Sequence, residues 1–429
     1  MKVVAFVLVV VAGCGSVSGK DVDARLPDTT NADTAGDTPG ALPPAAVSAY
    51  GNATFAAATQ TFTRVAFQTE SYDDRNEYDP TTGRFTPAEA GDYLVCASVY
   101  IPSTMFEIDL YKNNVRGRAF GMATGVTEGC QPVRLAAGEY IEVWLYQYAT
   151  SSVTIGDSPQ GTWITISQIT TDVDAAAVGS ISVPNATFVK VPSTNEIRDT
   201  HGEYDDAQAT FHAGQAADYL FCTWLAWNSQ TYGGEIDLYV NGSREDGLGD
   251  GVGTSGGCRT LRLAANDGVD VRMYQQNGGP VTKTADSNWD YVAIGKQPAI
   301  SSVESITTLS NVPGGTFVKI PYAVELFDDG GRFDIGSSTF TAGSAGDYLF
   351  CAAANSAIVG AANIELDLFK NGARERAMAW GRGEPVSGCR VVRLDASDQI
   401  DVRIWHDKST AVTFSSDPIW WWFQASKIR

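Results

Sequence analysis

Gly91-Asp92-Tyr93-Leu94-Val95-Cys96 is a stretch that the chain uses three times. It returns as Ala217-Asp218-Tyr219-Leu220-Phe221-Cys222 and as Gly346-Asp347-Tyr348-Leu349-Phe350-Cys351. In every copy an aromatic residue stands 18 positions before the Cys, and the copies align without a gap over that distance. A period of about 128 residues is too long for a solenoid unit and has the length of a whole domain. The sequence therefore predicts a threefold internal repeat of domains.

Short alternating runs dominate the repeats. Ile141-Glu142-Val143-Trp144-Leu145 alternates apolar and polar residues, which is typical of a strand with one buried face. Turn signals such as Asn241-Gly242 and Asn371-Gly372 separate the runs. We predict an all-β chain of three tandem jelly-roll β-sandwich domains, at residues 47–170, 171–297 and 298–429.

Six of the seven Cys residues recur as one pair in each repeat. The pairs are Cys96 and Cys130, Cys222 and Cys258, and Cys351 and Cys389. Because the pair recurs within each repeat, we predict three disulfides inside the domains. Zinc is the alternative, but it needs Cys and His at close spacing, and the three His residues stand at unmatched positions.

The beginning of the chain has the pattern of an export signal. Its apolar run from Val3 to Ala12 is too short to span a bilayer but suits a signal peptide, predicted at residues 1–13. The run leads to Val11-Ala12-Gly13-Cys14, which resembles the lipobox of bacterial lipoproteins, so Cys14 is the predicted lipid-attachment residue. An ordinary secretory signal with an incidental Cys is the alternative. Residues 14–46 have the composition of a disordered tether.

Three motifs in the repeats resemble the complement C1q globular-head family. They are Tyr78-Asp79-Pro80-Thr81-Thr82-Gly83-Arg84-Phe85-Thr86, Leu366-Asp367-Leu368-Phe369-Lys370-Asn371-Gly372, and Ser255-Gly256-Gly257-Cys258. The resemblance implies the jelly roll that this family shares with the tumour necrosis factor superfamily, whose members assemble as homotrimers. The chain has no collagen-like stalk. Three heads in one chain would instead form a pseudo-trimer, a monomer with three self-packed heads.

The strands that carry the first Cys of each pair support that arrangement. Residues 93–97, 219–227 and 348–354 are apolar on both faces. A strand of this kind is buried on both sides, as one lying between its own core and a neighbouring head would be. The alternative is that large residues merely cap the ends of the sandwiches.

Each repeat also contains a Glu-x-Asp pair. The pairs are Glu107 and Asp109, Glu235 and Asp237, and Glu365 and Asp367. Residues i and i+2 of a strand project to one face, and carboxylate oxygens suit calcium, so these pairs are candidate calcium ligands. The alternative is an ordinary solvated sheet face, which the acidic composition favours.

The composition and the motifs argue for binding rather than catalysis. The net charge of -20 disfavours nucleic acid and anionic lipid headgroups as partners. No His recurs between the repeats, and no nucleophile elbow or phosphate-binding loop is present. We predict an exported surface lipoprotein, at the outer membrane or cell surface, that is not an enzyme and requires no cofactor. It would recognise an extracellular glycan or protein ligand and contact the membrane through its N-terminal lipid only. The alternative is a structural surface-layer or self-associating envelope protein.

Overall fold

The computed structural model describes residues 44–156, 158–227, 233–305, 307–355, 362–382, 385–414 and 417–429, with the backbone alone at 102, 103 and 382. The predicted signal peptide, Cys14 and the tether up to residue 43 lie outside the described residues. In the described ranges the backbone forms strands and turns, and no helix there has the length and hydropathy to cross a membrane. The predicted all-β class is confirmed.

Strands of the first repeat, β1 to β11, are Ala46–Tyr50, Phe55–Ala57, Thr63–Val65, Thr69–Asp73, Tyr78–Asp79, Arg84–Phe85, Gly91–Lys112, Val115–Leu135, Ile141–Gln147, Val153–Ile155 and Trp163–Ile169. Those of the second, β12 to β24, are Val173–Ala176, Ser180–Val183, Val189–Lys190, Asn195–Asp199, Tyr204–Asp205, Thr210–His212, Ala217–Ala226, Gly233–Val240, Ser243–Val252, Thr254–Leu263, Gly268–Tyr274, Val281–Thr284 and Tyr291–Lys296. Those of the third, β25 to β37, are Ala299–Glu304, Leu309–Val312, Val318–Lys319, Val324–Asp328, Phe333–Asp334, Thr339–Thr341, Gly346–Ala354, Asn363–Lys370, Ala373–Arg382, Val386–Leu394, Gln399–His406, Val412–Phe414 and Trp422–Lys427.

Each repeat is a sandwich of two antiparallel sheets. In the second repeat a five-stranded sheet, β15-β12-β24-β18-β21, packs on a six-stranded one, β16-β17-β22-β19-β20 with β14 beside β22. The third repeat has the same order, β28-β25-β37-β31-β34 and β29-β30-β35-β32-β33 with β27 beside β35. In the first repeat the long strands β7 and β8 run through both layers and join them into one nine-stranded sheet. Some neighbouring strands, such as β12 and β24 or β25 and β37, are far apart in the chain, as in a Greek-key fold.

The predicted hairpin turns are confirmed. Asn241 and Gly242 have φ angles of 52° and 81°, and Asn371 and Gly372 have 52° and 79°. Two consecutive positive φ angles define the type I′ turn, whose twist matches that of the flanking strands. Asparagine and glycine tolerate this conformation, which explains their position there.

Strand β18 buries its two faces in different places. Tyr219 and Phe221 point into the core of the second repeat. Leu220 and Cys222 point the other way, into a cluster shared by all three repeats. This central cluster comprises Leu94, Cys96, Cys130, Trp163, Leu220, Cys222, Cys258, Leu349, Cys351, Ala353, Cys389, Val391 and Trp422. The apolar residues on both faces of these strands thus serve two cores at once.

The three predicted disulfides are present, and all six of their cysteines belong to that cluster. Cys96 is bonded to Cys130, Cys222 to Cys258 and Cys351 to Cys389, each pair facing across two adjacent strands. The sulfur atoms of Cys130, Cys258 and Cys389 lie 3.4, 3.5 and 3.2 Å from the carbonyl oxygens of Cys389, Cys130 and Cys258. A disulfide sulfur has no hydrogen to donate, so these are close contacts. They connect each repeat to another around a ring.

Backbone hydrogen bonds and ion pairs follow the same ring. The N–H groups of Ala119, Gly247 and Ala377 donate to the carbonyl oxygens of Asn288, Ile419 and Gln160, at 2.9, 3.1 and 3.2 Å. Three ion pairs cross the same boundaries, Arg198 with Asp92, Arg262 with Asp329 and Arg393 with Asp74. The backbone contacts and the Arg262–Asp329 and Arg393–Asp74 pairs use equivalent positions, whereas the Arg198–Asp92 pair is particular to the boundary of the first and second repeats.

Candidate ligand-binding site

The side chain of an arginine pairs with both carboxylates of each predicted Glu-x-Asp pair. Arg116 donates from Nε to Asp109 at 2.5 Å and from Nη2 to Glu107 at 3.1 Å. Arg244 makes the same contacts with Asp237 and Glu235, and Arg374 with Asp367 and Glu365. Each arginine follows its Asp by seven residues, across the hairpin turn.

These arginines are also held by aromatic rings. The guanidinium carbons of Arg116, Arg244 and Arg374 lie 4.9, 4.9 and 4.7 Å from the ring centres of Phe62, Phe188 and Phe317. Cation–π contact and paired carboxylates fix the guanidinium in place. Because the carboxylate oxygens already accept hydrogen bonds from arginine, a calcium ion would have to displace it.

Burial dominates the electrostatics of the pairs. It raises the pKa of Asp109 to about 7 and that of Glu365 to about 8, against the lowering effect of the arginine. One oxygen of each Asp, Oδ1, is buried and has no hydrogen-bond partner among the described residues. Among the described residues no group of three His, Cys, Asp or Glu side chains is placed to hold a metal ion. Calcium at these positions stays a prediction.

The repeats enclose a different site beside the central cluster. A cavity of about 300 Å³ opens there, lined by residues of all three repeats. We call it the junction cavity. Its walls include Met122, Glu128, Trp224, Asp250, Trp380 and Ser387. A concave site of this size, with aromatic walls and a few polar groups, is the usual form of a small-ligand site.

The cavity is asymmetric because the three repeats differ at the positions two residues after the first Cys and two residues before the second Cys of each pair. The cross-strand pairs there are Ser98 with Glu128, Trp224 with Gly256, and Ala353 with Ser387. Gly256 is required opposite Trp224, because a Cβ atom would lie 2.6 Å from the indole ring. The three cross-strand pairs thus contribute a carboxyl group, an indole and a hydroxyl to one cavity.

Glu128 is a buried carboxyl group in the wall of the cavity, which also contains Asp250. Its Oε1 accepts a hydrogen bond from the backbone N–H of Trp380 at 2.9 Å, and its buried Oε2 has no partner in the described part of the chain. Burial raises the pKa of Glu128 to about 8, with smaller contributions from Glu365 and Asp367. At neutral pH the carboxyl group is therefore largely protonated and presents both a donor and an acceptor.

Two indole groups accompany it. The Nε1 atoms of Trp224 and Trp380 are buried and lack a hydrogen-bond partner among the described residues. The ring of Trp380 packs beside Trp405, with 6.0 Å between centres, and beside Tyr100 at 6.4 Å. Buried indole N–H groups normally find an acceptor, so these two, on residues that line the cavity, are exceptions.

Sequence reasoning missed Glu128, Trp224 and Trp380 as a group. Glu128 and Trp380 stand on neighbouring repeats in the ring, so only the packing of the repeats brings them together. A signal was nevertheless present, because aligned positions next to a shared Cys differ in chemistry from repeat to repeat.

The chain has distant structural similarity to several solved proteins. The structure defines an all-β chain of two-sheet sandwiches. No protein-family model and no curated protein matches the chain. Among solved structures it is similar to the Eiger TNF of S. frugiperda, at 14% identity over 30% of this chain and 94% of that one, with a TM-score of 0.25. It is also similar to murine APRIL (12% identity, 29% and 98% covered, TM-score 0.24) and to the globular domain of zebrafish complement 1qA (19%, 29% and 95%, TM-score 0.22).

Proposed function

We propose that the chain is a non-catalytic binding module of the cell surface, and that its ligand is a glycan bound in the junction cavity. Export and a lipid anchor at Cys14 belong to the proposal and rest on the sequence pattern. A monomer carrying three self-packed heads would supply the whole site from one chain.

One observation carries the proposal. Glu128, Trp224 and Trp380 line one cavity of about 300 Å³, and each carries a buried polar atom that has no hydrogen-bond partner in the described part of the chain. Leaving a buried polar group unpaired costs about 1 to 3 kcal/mol, so a ligand that pairs with these groups recovers stability.

The chemistry of these groups favours a sugar. Sugar hydroxyls both donate and accept hydrogen bonds, and a carboxyl group with two indole N–H groups offers the complementary set. Indole faces additionally pack well on the apolar C–H face of a sugar ring. A cavity of about 300 Å³ has room for one or two sugar rings.

A glycan array probed with residues 44–429 tests this function. We expect saturable binding to a defined glycan class, reduced at least tenfold by Trp380→Ala and by Glu128→Ala. The matched control is Trp144→Ala, because Trp144 lies on β9 of the first repeat and does not line the cavity.

Two results would argue against the proposal. Equal loss of binding in the Trp144 control would show that the site is elsewhere. Absence of glycan binding together with ordered self-association would favour the structural envelope protein. Binding to a protein partner instead, still sensitive to Trp380→Ala, would keep the cavity and change the ligand class.

A further inference from the structure

Two buried arginines lie at the boundary between the third and first repeats. Arg376 on β33 and Arg390 on β34 are 8% and 1% exposed. Arg376 donates from Nη2 to the hydroxyl of Ser71 at 3.2 Å. In the described residues no carboxylate oxygen lies within 4 Å of a nitrogen of either side chain, and burying an unpaired charge is costly.

The equivalent positions at the other two boundaries are charge-balanced. Between the first and second repeats, Arg118 pairs with Asp174 at 2.5 Å, and Gln131 stands where the third repeat has Arg390. The second repeat has Asp246 in place of Arg376, and Asp246 pairs with Arg259 at 2.8 Å. At the boundary of the third and first repeats, Ser48 takes the place of Asp174. Of the three boundaries in the described residues, this is the one at which two arginine side chains are buried with no carboxylate oxygen within 4 Å of their nitrogen atoms.

Several donors at this boundary have no acceptor. Nε and Nη1 of Arg390, Nη1 of Arg376 and the hydroxyl of Tyr72 are buried and unpartnered in the described structure. Aromatic rings hold the two guanidinium groups, with Arg376 4.5 Å from the centre of Tyr50 and Arg390 4.2 Å from that of Trp163. Burial, with a smaller contribution from Arg376, lowers the pKa of Arg390 to about 9.

The residues that carry these donors, Tyr72, Arg376 and Arg390, line a cavity of about 470 Å³. Its rim includes the exposed residues Ser71 and Gln160, so the cavity opens to solvent. Glu375 is the acidic residue of the lining, and no ion pair within 4 Å joins it to either arginine in the described residues. Arg393, which also lines the cavity, is held by Asp74 and Asp347.

We propose that this cavity is an oxyanion site, in which Arg376 and Arg390 hold the carboxylate, sulfate or phosphate group of a small ligand. Guanidinium groups bind such anions through paired, charge-assisted hydrogen bonds. The volume fits a ligand of the size of one acidic sugar. The site is separate from the junction cavity and does not depend on glycan binding there.

Isothermal titration of residues 44–429 with sodium sulfate, sodium phosphate, glucuronate and glucose tests the proposal at constant ionic strength. We expect saturable binding of one or more of the three anions and none of glucose. Arg390→Met and Arg376→Met should each weaken anion binding at least tenfold, while Arg134→Gln, at a side chain that is 67% exposed, should not change it. Because either Met variant removes an unpaired buried charge, the unliganded protein should keep or raise its melting temperature.

A second kind of variant tests the site through a gain of binding, which a misfolded protein would not show. Glu375→Gln removes the nearby negative charge and should tighten anion binding by several fold. Binding of inorganic sulfate or phosphate without glucuronate would support the anion site and exclude the sugar-sized ligand. Equal binding by the wild type and both Met variants, or no saturable binding of any of the three anions, would overturn the proposal. Loss of glycan binding with anion binding intact would refute the proposed function alone.

Discussion

The substitution Leu220→Ala tests whether the central cluster, rather than the core of any one repeat, couples the stability of the three repeats. Leu220 is 3% exposed and lies in the central cluster, where it packs among residues of the first and third repeats. The change removes three buried carbons, which costs about 3 kcal/mol when the site does not collapse. An opening free energy reduced by that amount corresponds to amide exchange faster by about 100-fold.

Native-state hydrogen exchange of residues 44–429 measures where this loss appears. We expect faster exchange in β7 and β31, in the first and third repeats, as well as in β18. The matched control is Leu238→Ala, since Leu238 is 0% exposed but lies in the core of the second repeat alone. Its effect should stay within that repeat. If Leu220→Ala accelerates exchange only in the second repeat, the central cluster does not couple the repeats and our reasoning is wrong.

Three further perturbations have definite outcomes. Asp290→Asn leaves Lys283, which is 0% exposed, as an unpaired buried charge. The free energy of unfolding, measured with urea, should therefore fall by about 3 to 5 kcal/mol. Adding Lys283→Met to this variant should restore much of the lost free energy. The pKa of Glu128 is raised by burial from 4.5 to about 8, so its contribution to stability is full below pH 4.5 and is lost as the pH rises to about 8. Denaturation midpoints should therefore fall less between pH 5 and 8.5 in Glu128→Gln than in the wild type, and an equal fall would contradict a buried, protonated Glu128. Replacing Cys222 and Cys258 by Ser opens a loop with a sequence separation of 36 and should cost roughly 4 kcal/mol on the chain-entropy model, measured by chemical denaturation, whereas an unchanged midpoint would refute a structural role for that disulfide.

Features set by local sequence were predictable. Alternating residues such as Ile141 to Leu145 specify a half-buried strand, and Asn241-Gly242 specifies a tight hairpin, without knowledge of the rest of the chain. The disulfides followed from a pair of Cys residues that recurs in each repeat. The exact domain boundaries at 47, 171 and 298 stay predictions, although β1 begins at Ala46 and Ala45 is already buried.

The environment of the Glu-x-Asp pairs was harder to predict. An acidic pair on a strand looks the same whether water, calcium or arginine faces it. Arg116, Arg244 and Arg374 recur at a fixed distance after the Asp, yet their relevance depends on the two-residue turn that folds them back over the pair. The contact of one arginine with the Glu and the Asp across the hairpin depends on the register of the two strands rather than on the composition.

Sites between repeats could not be read from one repeat at all. Glu128 meets Trp380, and Arg390 meets Trp163, only because the repeats pack side by side. In both places the informative residues are those at which the three copies differ. The residues that all three copies share specify the scaffold. The positions at which one copy differs from the other two mark where that copy carries different chemistry.

A crystal structure of residues 44–429 with the best-binding glycan tests the central claim most directly. We predict a sugar ring in the junction cavity, with a hydroxyl within 3.2 Å of Oε2 of Glu128 and the indole N–H of Trp380 donating to the sugar. A glycan bound on the outer loops, with the junction cavity unchanged, would contradict the account.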